Sequence, residues 1–140
     1  MADLIHEITI NAPAEKVHAA ITTQAGLRQW WTDDSVAEPR VGTVAEFGFF
    51  KRKTVFRMKI EELSPQKIVW SCVGGPGEWV GTRLTWVLSP KNGATRINFR
   101  HANWKSTDGD YGRCNSTWGA LMYRLKEYVE GNPRGPHFTS

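Results

Sequence analysis

Cysteine is scarce: Cys72 and Cys114 are the only two in 140 residues. Two thiols give no disulfide framework, and no CxxC or mixed His/Cys cluster offers a zinc site. The four histidines, His6, His18, His101 and His137, share no ligand spacing, so no metal and no cofactor is expected. No apolar run approaches the ~20 residues needed to span a bilayer. The opening Met1-Ala2-Asp3 has neither the basic nor the apolar segment of a secretory signal. Repeats, linkers and low-complexity tracts are also missing. The expectation is one cytoplasmic domain over residues 1–131 with reduced thiols. Residues 132–140, polar and rich in Pro and Gly, form a loosely held tail.

Charge is modest, with a net +4 and a pI near 9.3. Its one basic cluster, Lys51-Arg52-Lys53, falls between two strand-like runs, where a solvated hairpin tip is expected. No recognition motif accompanies it, so neither nucleic acid nor membrane is an expected partner.

Tryptophan is the unusual abundance, at seven residues. Large aromatics line pockets as well as fill cores. Near the C-terminal end, Cys114, Trp118, Leu121, Leu125 and Tyr128 recur at helical spacing, widened by Met122 and Val129. The spacing predicts a helix over 111–130, capped by Asp108 or Asp110 and stopped by Gly131 and Pro133. Burying five such side chains is worth roughly 8–15 kcal/mol, so the apolar stripe requires a cover. The preceding residues supply it as strands. Leu4–Ile10 alternates, with Leu4, His6, Ile8 and Ile10 on one face. After Pro13, Val17, Ala20 and Ile21 mark a short helix, and Leu27, Trp30 and Trp31 a second one beyond Gly26. Alternation then returns over 42–50, 54–63, 67–73, 78–88 and 94–101, with Asn92-Gly93 as a hairpin signal. The predicted class is α+β: a curved antiparallel sheet wrapped around a long C-terminal helix, with two short helices after the first strand. Such a sheet leaves room for an interior cavity.

The opening Ile8-Thr9-Ile10-Asn11-Ala12-Pro13-Ala14-Glu15-Lys16-Val17, followed by Leu27-Arg28-Gln29-Trp30-Trp31, resembles the START-like (SRPBCC) superfamily. Gly42 before an aromatic strand, Thr95-Arg96-Ile97, and Trp118 with Leu121 and Leu125 fit the same pattern, as does Glu130-Gly131 before a proline. The branch it looks most like is named after the activator of heat-shock protein 90 ATPase. The resemblance implies a helix-grip fold with a deep, mostly apolar cavity. It also implies a small hydrophobic or aromatic ligand as partner, with a chaperone partner or polyketide cyclase-like chemistry as alternatives. The co-chaperone's accompanying domain has no counterpart here, and the matched motifs are structural.

The expected ligand wall is Trp31, Phe47, Phe49, Phe56, Met58, Trp70, Trp86, Phe99, His101, Trp118 and Met122. For any one of these, core filling is the competing explanation. His101 and Cys114 are positioned to approach one another, and a Cys–His pair is what a thiolate nucleophile needs. No third orienting group is evident, so a buried thiol beside a hydrogen-bonded histidine is the favoured reading. Tyr111 and His6 are further hydrogen-bonding or acid–base candidates. Arg57, Lys59 and Arg83 face outward, as solvated sheet surface or as a partner surface if the chaperone alternative holds. Gly112 and Gly119 mark cavity space or a close approach of helix to sheet.

Overall fold

A computed structural model describes residues 2–140. Seven antiparallel strands form one sheet in the order β1-β7-β6-β5-β4-β3-β2. They are β1 (Ala2–Ile10), β2 (Asp34–Val36), β3 (Val44–Phe49), β4 (Thr54–Ser64), β5 (Lys67–Gly74), β6 (Arg83–Lys91) and β7 (Ala94–Trp104). Helices α1 (Ala14–Thr22) and α2 (Gln24–Trp30) follow β1, and α3 (Tyr111–Val129) closes the order. This is the helix-grip arrangement that the alternating pattern implies.

Side-chain period places the core. In β7, Thr95, Ile97, Phe99 and His101 are buried, and Leu84, Trp86 and Leu88 of β6 lie in the same layer. Register locks the two strands together, with Trp86 opposite Phe99 and Leu88 opposite Ile97. From α3, Trp118, Leu121, Met122, Leu125 and Val129 turn onto that layer. Along the edge of β1, Lys126 donates to the Thr9 carbonyl at 2.7 Å and the Tyr111 hydroxyl to that of Asp3 at 2.8 Å. These bonds cover an edge that would otherwise remain free to pair.

Several elements differ from the sequence expectation. The break between α1 and α2 falls at Thr23, whose hydroxyl caps α2 through the Gly26 amide at 3.0 Å. Gly26 lies inside α2, where a Cβ would approach Ala19 O and Ala20 Cα to 2.7 Å, so the glycine serves close helix approach. Pro13 takes the cap position of α1, with extended backbone. Asp110 occupies the cap position of α3 but its side chain makes no cap bond; it pairs with Arg113 instead. The run over 78–88 begins as a 3₁₀ turn, Gly77–Trp79, and becomes strand only at Arg83. The short strand β2 has no alternation long enough to read.

The tail is tied down where sequence suggested looseness. Trp30 O and Trp31 O accept from the His137 and Phe138 amides at 3.1 and 2.9 Å. Arg124 holds the Gly135 carbonyl at 2.9 Å, and Asp33 accepts from the Ser140 hydroxyl at 2.7 Å. Polar composition was a poor guide because backbone groups, not apolar side chains, make most of these contacts.

Candidate functional site

Small side chains on the first turns of α3 decide where the interior stays open. Asp110, Arg113, Cys114, Thr117, Trp118 and Leu121 form one side of a cavity of about 450 Å³. Opposite stand Trp31, Phe49, Phe50, Thr54 and Phe56, with Pro76, Gly77 and Trp79 at one end and Phe138 at another. A volume of this size suits a drug-sized ligand. Phe50 is 65% exposed, and the Arg113 side chain 76% exposed, which sets the mouth between the β3–β4 hairpin and the start of α3.

Two tryptophans face each other across the cavity end, with Trp79 and Trp118 centroids 6.2 Å apart and the rings 30° from parallel. A hydrogen-bond relay fixes both. Trp118 Nε1–H donates to His101 Nδ1 at 3.2 Å, so the imidazole proton sits on Nε2 and points to Thr82 Oγ1 at 2.8 Å. The Thr82 hydroxyl then donates to the Trp79 carbonyl. Trp79 Nε1–H returns to α3, donating to Cys114 Sγ at 3.4 Å. Every polar atom of the His101 ring is therefore engaged, which is what permits full burial. Burial without a countercharge pushes its pKa down to about 3, so the ring is neutral at ordinary pH.

The sequence-derived wall separates into two groups. Trp31, Phe49, Phe56 and Trp118 line the cavity. Phe47, Met58, Trp70, Trp86, Phe99, His101 and Met122 do not; they are buried in closed core behind it. The reason is that other aromatics already cover them: Trp86–Phe99 and Phe99–Trp118 centroids are 4.4 Å apart, and Trp31–Phe47 4.2 Å, so Trp118 and Trp31 stand between this core and the hollow. The tryptophan surplus is thus largely core.

Among the catalytic candidates, His101 and Cys114 are linked only through Trp79 and Thr82, and no hydrogen bond joins them directly. The Cys114 thiol borders the cavity, but desolvation raises its pKa. The Tyr111 hydroxyl is engaged with Asp3, away from the cavity. His6 lies against α3, its Cε1 3.7 Å from where a Cβ of Gly119 would stand, an ordinary contact distance, so Gly119 marks neither cavity space nor an unusually close approach of helix to sheet. Gly112 faces open space. Among the described residues no group of three or more His, Cys, Asp and Glu is placed to hold a metal, and no helix is long and apolar enough to cross a membrane.

Sequence reasoning missed Phe50, Trp79 and Phe138. Each is a large aromatic stranded in a polar or glycine-rich segment, and that placement was the available signal.

A curved sheet gripping one long helix over an aromatic hollow defines a START-like, SRPBCC-type cavity domain. Residues 11–130 match the model of the family described as Activator of Hsp90 ATPase homolog 1-like protein, and the chain belongs to that family. Among solved structures it is similar to the Aha1 dimer from Colwellia psychrerythraea, at 31% identity and TM-score 0.86 over 94% of this chain and 98% of that one. CalU16 from Micromonospora echinospora shares the fold at 17% identity, TM-score 0.74, over 94% and 76% of the two chains. So does DynU16, a protein of the dynemicin biosynthetic locus, at 18% identity and TM-score 0.81. It is covered over 51% of its length by 99% of this chain. The comparison with curated proteins gives no match.

Proposed function

We propose that this chain binds a small hydrophobic or aromatic molecule in the cavity beneath the first turns of α3. The observation that carries the reading is the wall itself: Trp31, Phe49, Phe50, Phe56, Trp79, Trp118 and Phe138 surround about 450 Å³. Flat π faces on several sides favour a planar, weakly polar guest. Binding is favoured over turnover because the polar groups nearest the cavity are committed elsewhere. His101 has no free nitrogen, Thr117 donates to the Arg113 carbonyl at 3.0 Å, and Asp110 pairs with Arg113. The similarity of fold to proteins such as DynU16, from the dynemicin biosynthetic locus, supports polyketide cyclase-like chemistry in the same cavity as the enzymatic alternative.

The test is a titration with the neutral naphthalene fluorophore prodan. Binding raises the melting temperature, because the ligand engages only the folded state. It also quenches tryptophan emission. A protein whose melting point and emission stay unchanged at saturating prodan contradicts the reading.

A second reading, regulation of a heat-shock protein 90 ATPase, is supported by the 31% identity to the Aha1 protein, which its structure describes as a dimer. The outward side chains of Lys59 and Arg83, both in register with Ser71 of β5, offer positive charge to such a partner, while Arg57 is paired with Glu46. Stimulation of the chaperone ATPase by a Thr117→Phe variant, whose cavity is filled, would place the function on the outside.

A further inference from the structure

The cavity mouth has two aromatic lips, and they belong to segments held in unlike ways. Phe50 lies on the β3–β4 hairpin tip, where Phe50, Lys51 and Arg52 have φ of 54°, 57° and 66°. Three successive non-glycine residues in the left-handed region make a strained turn, and such strain persists only where the surroundings enforce it. Here the enforcement is Arg52, whose guanidinium reaches Asp34 Oδ1 at 2.7 Å and Glu46 Oε1 at 2.6 Å. Gly48 leaves the space for that carboxylate; a Cβ there would sit 2.1 Å from Asp34 Oδ2.

The other lip is Phe138. Its ring stands edge-on to Phe49 at 5.0 Å and to Phe50 at 6.4 Å. The segment bearing it leaves α3 through two glycines in the left-handed region, Gly131 at φ 93° and Gly135 at φ 86°. These are natural hinge positions. Its far end is tied to Asp33, which accepts from the Ser140 amide at 3.0 and 3.1 Å and from the hydroxyl at 2.7 Å. The two lips are therefore latched to adjacent aspartates, Asp33 and Asp34. Both latches are exposed hydrogen bonds or ion pairs, readily exchanged for water.

We propose that Phe50 and Phe138 form a gate at the mouth of the aromatic cavity, narrowed by the paired latches Asp33–Ser140 and Asp34–Arg52, whose release widens the path by which ligand enters and leaves. The proposal rests on the reading of the cavity as a ligand site. Backbone bonds from Phe138 N–H to Trp31 O and from Asp33 N–H to Phe138 O also hold this segment, so release of the Asp33 latch removes its side-chain restraint and lowers the cost of the wider opening that carries Phe138 off Phe49. Release of the Asp34 latch leaves Arg52 on Glu46 alone, which loosens the left-handed turn and lets Phe50 withdraw more readily. Neither aspartate lines the cavity, so both act on rates of exchange more than on the bound contacts.

Stopped-flow prodan binding to the wild-type chain, Asp33→Ala, Asp34→Ala and the double variant tests it. Association and dissociation should each accelerate at least about threefold in the single variants and further in the double, with the equilibrium constant moving less than about twofold. Amide exchange on the wild-type chain gives a readout free of ligand: Phe138 and Lys53 should exchange well before Phe99 in β7. Unchanged rates in the double variant with prodan still bound would overturn the gate and leave the cavity reading standing. Strap and hairpin amides as protected as Phe99 would overturn it too. If no variant and no wild-type protein binds prodan, cavity reading and gate fall together.

Discussion

The two ends of α3 meet the same sheet and produce opposite results. Beyond Leu121, the helix presents Met122, Leu125 and Val129, all buried in the continuous core, and no cavity residue comes from this half. Before Leu121 it presents Cys114 and Thr117 beside Trp118, and the hollow is bounded opposite by Phe49 and Phe56 at the ends of β3 and β4 and by aromatics from loops and the tail. The cavity therefore arises from short side chains on one half of a helix, not from an unusual sheet. A core position on α3 must fill about one large side chain's volume, and the first turns decline to do so. The closed half supplies stability, and the open half leaves the hollow on which the proposed binding depends.

Removing bulk from the closed core should give the largest effect. Phe99→Ala loses about 3–5 kcal/mol by urea unfolding, the range for a large aromatic truncated in a core. Phe56→Ala, at the cavity, loses much less because open volume already adjoins it. Equal losses at the two positions would break the contrast.

Acid should act through the same closed region. His101, with a folded pKa of about 3 against an ordinary 6.5, stays neutral while the unfolded chain takes up its proton. Its contribution is complete above pH 6.5 and declines as pH falls toward 3. Between pH 6.5 and about 4 this amounts to roughly 3 kcal/mol, measured as a fall in unfolding free energy that His101→Leu lacks.

Filling the open half sharpens the comparison from the other side. Thr117→Phe projects into the hollow, so prodan affinity drops at least about tenfold, or ~1.4 kcal/mol. Global stability should move by no more than about 1 kcal/mol, since surplus space accepts the ring. The smallest effect is expected at the lip. Phe138→Ala removes a half-buried ring and should lower stability by less than about 1 kcal/mol in thermal melts.

The same contrast explains what the sequence revealed. Strand alternation and the stripe Trp118, Leu121, Leu125 carry the fold because burial imposes a period on every residue that faces the core. The closed aromatics obey that period, which is why Phe47, Trp70, Trp86 and Phe99 were legible as buried and were grouped with the residues that line the cavity, where the structure does not place them. Periodicity reports that a side chain points inward; it does not report whether atoms meet it there. Phe50, Trp79 and Phe138 escaped for the converse reason, since a hairpin tip, a 3₁₀ turn and a tail have no period to read. The relay through His101 and Thr82 joins residues 19 positions apart and depends on side-chain direction alone.

The most direct measurement is the shift of the tryptophan indole N–H resonances, residue by residue, as prodan is added. Trp79 and Trp118, whose relay frames the hollow, should move together with Trp31, while Trp30, Trp70 and Trp86 hold their positions. Shifts concentrated at Trp30, Trp70 and Trp86, with Trp79 and Trp118 silent, would contradict a molecule open beneath the first turns of α3 and closed beneath the last.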